Sequence, residues 1–241
     1  MDSIVLPSAS PSWWSRACGP RDVLRLALPL MISTAAWTIM NFIDRMFLTW
    51  YDREAMAATL PAGMMQWLLM SFPLGVCMYA NTFVAQYHGA GRNDRIGLAI
   101  GQALRIVLYV SPLMLLAGPL APWFFEVIRH EPGMVAKESI YFQVMAIGAI
   151  AHLLTHTLQT FFVGQGRTQV VMVVDIIGAV LNIILDWPFI FGVAAWGIPA
   201  GGIEGAAWAT VIALWVKVFI FWWLMARPQL RKEFGLDAIW R

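Results

Sequence analysis

Six stretches of this chain stay apolar for about 20 residues or more, and short polar segments part them. They run over residues 23–50, 56–82, 98–118, 134–163, 169–193 and 203–226. About 20 apolar residues cross the hydrocarbon core of a bilayer as a helix, so each stretch is long enough to span. The longest must tilt or protrude. Polar, glycine-bearing or charged segments at 51–54, 88–95, 126–133, 164–167 and 196–202 punctuate them. A β-barrel would instead show alternation over strands of about ten residues, and the chain has none. The pattern predicts an all-α integral membrane protein of six transmembrane helices.

Composition sharpens that reading. The chain is 60% hydrophobic and 12% charged, against about 45–50% and about 25% in soluble domains. A formal charge of +2, with no basic run interleaved with aromatics, argues against a nucleic-acid partner. Cys18 and Cys77 form neither a disulfide framework nor a zinc spacing. The first 20 residues hold no signal-peptide core, and the apolar run after them is too long to be one, so the first span is expected to anchor the chain.

Lys and Arg set an expected orientation. One side of an alternating topology carries Arg16, Arg21, Arg25, Arg92, Arg95, Arg105, Arg167, Arg227, Arg231, Lys232 and Arg241. The other carries Arg53, Arg129 and Lys137. This bias predicts a multi-pass protein of the cell inner (plasma) membrane with both termini cytoplasmic. Residues 1–22 would form a cytoplasmic tail, 23–226 the transmembrane lobe, and 227–241 the start of a cytoplasmic linker.

Ionisable residues inside spans cost at least about 2.5–3.5 kcal/mol at the helix centre, so each needs a partner or a wet cavity. Asp44 and Arg45 lie in the first span, Asp175 and Asp186 in the fifth, and Lys217 in the sixth. Asp175, Gly178, Ala179, Asn182 and Asp186 share one stripe of the fifth helix. Ala206, Thr210, Ala213 and Lys217 share one of the sixth. If Asp175 pairs with Lys217 as a structural ion pair, Asn182 falls level with Thr210 and Asp186 level with Ala206. The first helix offers a stripe of Thr34, Trp37, Thr38, Asn41 and Asp44, while Arg45 points elsewhere and can reach the interface.

Weaker signals take plainer readings. His152 and His156 stand one turn apart, but without a third ligand or a general-base Glu they are expected to hydrogen-bond within the lobe rather than hold zinc. No metal and no cofactor is expected. Gly89-Ala-Gly91 is a turn, and Gly97/Gly101 and Gly201/Gly205 are close-packing pairs. Pro29, Pro73, Pro112 and Pro188 permit bends. The many methionines suit a promiscuous pocket, since Met repacks around varied ligands.

Pro29 followed by Phe42-Ile-Asp44 resembles the opening of the multidrug and toxic compound extrusion (MATE) transporters. Val84-Ala-Gln-Tyr-His-Gly-Ala-Gly91 and Leu158-Gln-Thr-Phe-Phe-Val-Gly-Gln-Gly-Arg-Thr168 are similar to later stretches of that family. So are Asn182-Ile-Ile-Leu-Asp186, Phe189-Ile-Phe-Gly192 and Gly202-Ile-Glu-Gly-Ala-Ala-Trp-Ala-Thr210. The ordered set covers the chain. The resemblance implies an antiporter, not an enzyme, with two six-helix lobes around a cavity, exporting organic cations and drugs against Na⁺ or H⁺. By motif it places cation binding at Asp44, Asn182, Asp186 and Thr210, with Thr34, Trp37, Thr38 and Asn41 lining the cavity.

Arg45 after the helix-1 aspartate departs from the family pattern. So does length: the family has twelve spans and this chain six, so a second lobe is expected from the same polypeptide, a split subunit or a second copy. Alternatives are a lipid or lipid-linked sugar flippase of the same superfamily, an intramembrane enzyme built on His152, His156 and Asp175, and a non-transporting partner lobe.

Overall fold

A computed structural model describes residues 19–193, 197 and 199–239. Arg16, Cys18, Trp196, Arg241 and most of the expected N-terminal tail lie outside them. Among the described residues eight α-helices follow one another. They are α1 (Pro20–Tyr51), α2 (Arg53–Met78), α3 (Ala80–Gly89), α4 (Ile96–Val127), α5 (Pro132–Val163), α6 (Thr168–Phe191), α7 (Gly202–Met225) and α8 (Pro228–Glu233). Six segments are long and apolar enough to cross a membrane, α2 and α3 together making the second. The protein is an all-α, six-span membrane lobe.

The third span runs further than the sequence suggests: α4 continues past Gly118 to Val127, through Pro119 and Pro122. Each proline removes one backbone donor, but in an apolar medium leaving the helix would orphan many more. The second span is interrupted instead. Tyr79 separates α2 from α3, its N–H bonding back to the Gly75 carbonyl at 3.1 Å.

α5 is the central post, packing against α2, α4 and α7, while α6 lies between α1 and α7. Lipid tails supply no hydrophobic force between helices, so close approach and internal polar bonds do the work. α5 is suited to both. Gly148 faces Val211 of α7 so closely that a side chain there would collide, and Ala146 lies against Gly118 of α4. Thr155 and Thr157 are buried and donate their hydroxyls to the carbonyls of Ala151 and Leu153 at 2.7 and 2.8 Å. α4 shows the two kinds of apolar face. Ile96, Ile100, Leu104, Val107 and Phe125 are buried, whereas Leu108, Leu113, Leu116 and Leu120 are exposed.

Both ends of the lobe are tied. Lys137 of α5 donates to Asp52 Oδ2 at 2.6 Å and Glu54 Oε2 at 2.8 Å, fastening the α1–α2 turn. Close by in α5, Glu138 is fully buried and bonded to His130 Nδ1 at 2.8 Å. At the opposite end, residues 228–239 fold back on the bundle. Phe234 is fully buried against Phe161, and its carbonyl accepts the Gly97 N–H at 3.0 Å. Gly97 and Gly101 therefore do not serve helix–helix packing, as their four-residue spacing suggested. They make room for the backbone of Gly235 and Ile239. Gly201 and Gly205 lie against the Phe189 carbonyl at the α6–α7 corner.

Candidate functional site

The α6 stripe faces α7, and two polar groups sit along that seam. In one, Asp186 and Asn182 are both fully buried. With its amide turned to suit both neighbours, Asn182 donates from Nδ2 to Asp186 Oδ2 and accepts the Thr210 hydroxyl at Oδ1, each at 3.3 Å. In either amide orientation Asn182 bridges Asp186 and Thr210. Thr210 Oγ1 also lies 3.1 Å from the Ala206 carbonyl of its own helix. The residues are neighbours because α6 and α7 run antiparallel with small residues between them.

Asp44 comes from α1, which packs along α6. Its Oδ1 is buried with no hydrogen-bond partner among the described residues. Asp44 and Asp186 lie within electrostatic reach of one another, and the Tyr141 phenol of α5 within reach of both. Arg45 is exposed and forms no ion pair among the described residues. With Asp186 fully buried and Asp44 partly buried, ionising both calls for a compensating positive charge, a metal cation or a proton. The donors suit a hard cation, because carboxylate, amide carbonyl and hydroxyl are all oxygen ligands.

The second group lies along the seam toward the start of α6. Lys217 Nζ is 2.6 Å from Asp175 Oδ1, and Gln159 Nε2 donates to the same oxygen at 2.9 Å. His152 and His156 meet through their Nε2 atoms at 3.0 Å, His152 edge-on to Trp67. Among the described residues no cluster of three His, Cys, Asp or Glu could hold a metal.

The remaining α1 stripe is not gathered into either group. Thr34 and Thr38 donate their hydroxyls to the Leu30 and Thr34 carbonyls, and Asn41 its amide to the Trp37 carbonyl, at 2.8–3.0 Å. Thr34, Trp37 and Thr38 are exposed on the lobe surface. Sequence reasoning missed Tyr141, Gln159 and the His130–Glu138 pair. A lone tyrosine or glutamine in an apolar span carries no spacing signal. His130 and Glu138 are linked only across a turn.

The MatE family profile matches residues 29–187. The multidrug resistance protein PmpM of Pseudomonas aeruginosa is 32% identical over 211 residues, covering 84% of this chain and 43% of that protein. The multidrug resistance protein NorM of Vibrio cholerae is 30% identical over 199 residues, covering 83% of this chain and 43% of NorM. The chain thus spans less than half the length of these two curated relatives. Among solved structures, an outward-facing multidrug resistance MATE family transporter superposes with a TM-score of 0.75. It is 21% identical, with 91% of this chain and 52% of that one covered. MATE in the straight conformation gives a TM-score of 0.76 at 22% identity, over 86% and 45%. These structures share the fold.

Proposed function

Because the chain belongs to the MatE family, we propose that it is the N-terminal lobe of a cation-driven exporter of amphipathic or cationic compounds. The relatives named multidrug resistance proteins support the substrate class. The observation that carries the ion coupling is Asp186, fully buried beside Asn182 and Thr210, with the unpartnered Asp44 oxygen nearby. Asp44 and Asp186 supply the negative charge that binds Na⁺ or H⁺. Asn182 and Thr210 hold Asp186 in place and offer further oxygens.

Occupancy of the site changes the charge between α1 and α6, and so changes which packing of those helices is preferred. That differential preference is the only way an ion can bias a conformational equilibrium. A second six-helix lobe, from the same polypeptide, a split subunit or another copy, closes the substrate cavity. The exposed Thr34, Trp37 and Thr38 face of α1 lines this lobe's side of it, with Asn41. The Lys and Arg bias supports an orientation with both termini in the cytoplasm.

The test is uptake of a fluorescent organic cation into everted vesicles bearing the native gene product. Uptake that collapses when the Na⁺ and H⁺ gradients are dissipated supports the reading. Uptake indifferent to both gradients refutes ion coupling, and no uptake by a product holding both lobes refutes export.

A further inference from the structure

At the end of the lobe where α1 and α6 begin, the α5–α6 turn folds against the first turns of α1. Gly166 has φ +73°, and Leu26 of α1 lies where its side chain would project. Beside this contact is a cleft of about 230 Å³, lined by Arg25 of α1 and by residues 166–170. Two arginines thus meet at one cleft from segments about 140 residues apart in sequence. Both are exposed, and no carboxylate of the described residues pairs with either. The Arg167 guanidinium lies over the buried Phe234 ring, 5.6 Å from its centre, which holds it in place without neutralising it.

The cleft lies at the ends of membrane-spanning helices, the level of lipid headgroups. The same end holds Arg21, Arg92 and Arg227, also without carboxylate partners among the described residues, whereas Arg95 and Arg231 are paired with Asp94 and Asp237. Such a basic rim concentrates anionic lipid. Apolar side chains stand exposed within two turns of the cleft on both its helices, Leu24 and Leu28 on α1 and Val173 and Ile177 on α6. A free phosphate would use only the arginines, whereas a phospholipid would use the arginines and these faces together.

We propose that Arg25 and Arg167 form a binding site for the phosphate of an anionic phospholipid. Planar guanidinium donors match phosphate oxygens in pairs, and a fixed guanidinium loses less freedom on binding. The assignment does not depend on transport, since it needs only the lobe in a membrane.

The experiment is native mass spectrometry of the purified chain in detergent with added phosphatidylglycerol. Wild type is expected to retain phosphatidylglycerol, and Arg25→Gln/Arg167→Gln to retain about tenfold less. Arg25→Lys/Arg167→Lys, which keeps the charge but loses the paired guanidinium donors, is expected to fall between the two. Neutral phosphatidylcholine shows no difference between wild type and variants. Size-exclusion and helicity measurements check folding. Arg25→Gln alone, at an exposed position, provides a readout should the double variant misfold. Equal phosphatidylglycerol retention by the folded glutamine variants overturns the site. Phosphatidylcholine retained as well as phosphatidylglycerol overturns its charge selectivity. Inorganic phosphate binding wild type as tightly as the lipid does, and through the same arginines, overturns the lipid as its source.

Discussion

Lys217 reaches Asp175 across the α6–α7 seam with Nζ 2.6 Å from Oδ1, its aliphatic stem passing over Gly178. Gly178 admits that stem, since any side chain there would meet it. The pair is largely enclosed, with 16% and 14% of the two side chains exposed. A lone charge left in such a place costs more than none.

Asp175→Asn is therefore expected to destabilise the lobe by about 3 kcal/mol, and Asp175→Asn with Lys217→Met to recover most of that loss. Denaturant or thermal unfolding in detergent measures both. Defects that simply add would show that the two charges do not stabilise each other.

The proposed cation site makes a different demand. Asp186→Asn and Asp44→Asn each keep the side-chain shape while removing a charge, so folding should survive. Gradient-driven efflux should fall to background in both. Wild-type efflux from either variant would remove that residue from the coupling machinery.

The folded-back segment at 228–239 predicts an effect of glycine substitution far from any ligand. Gly101→Val would place its side chain on the Ile239 backbone carbonyl. Trypsin is then expected to cut after Arg231 or Lys232 about tenfold faster, following the higher population of the opened segment. Gly63→Val, which meets no atom within 4 Å, serves as the control. Equal digestion of the two variants would mean that the contact does not hold the segment.

At the opposite end, the Lys137 hydrogen bond holds the Asp52 carboxyl below the usual carboxylate range. A lowered folded-state pKa contributes stability above the unfolded value, near about 3.9, and loses it as pH falls through the folded value. The thermal midpoint of wild type should exceed that of Lys137→Met at neutral pH, and the gap should narrow below about pH 4. A gap that stays constant down to pH 2 would mean that Asp52 is not the group responsible.

Hydropathy and helical spacing carried much of this structure in the sequence. Asp175, Asn182 and Asp186 repeat at intervals that only a helix brings to one face, and Thr210 and Lys217 do the same on its neighbour. The four-residue pair Gly97/Gly101 misled because spacing reports a smooth helix face without saying what lies on it. Here it is a backbone segment more than 130 residues later. Tyr141 and Gln159 gave no signal, since a single polar residue in a long apolar span has no period.

By itself the sequence determined that there are six spans, that their termini are basic on one side, and which charges lie within the spans. Those follow from one-dimensional quantities: length, hydropathy and the position of Lys and Arg. Tertiary structure decided which apolar face packs inside the lobe and which stays on its surface. On α4, Leu104 is buried and Leu108 exposed, though both are leucines one turn apart. In water a polar face would have marked the difference. In a bilayer both faces are apolar, so only the packing of helices distinguishes core from surface.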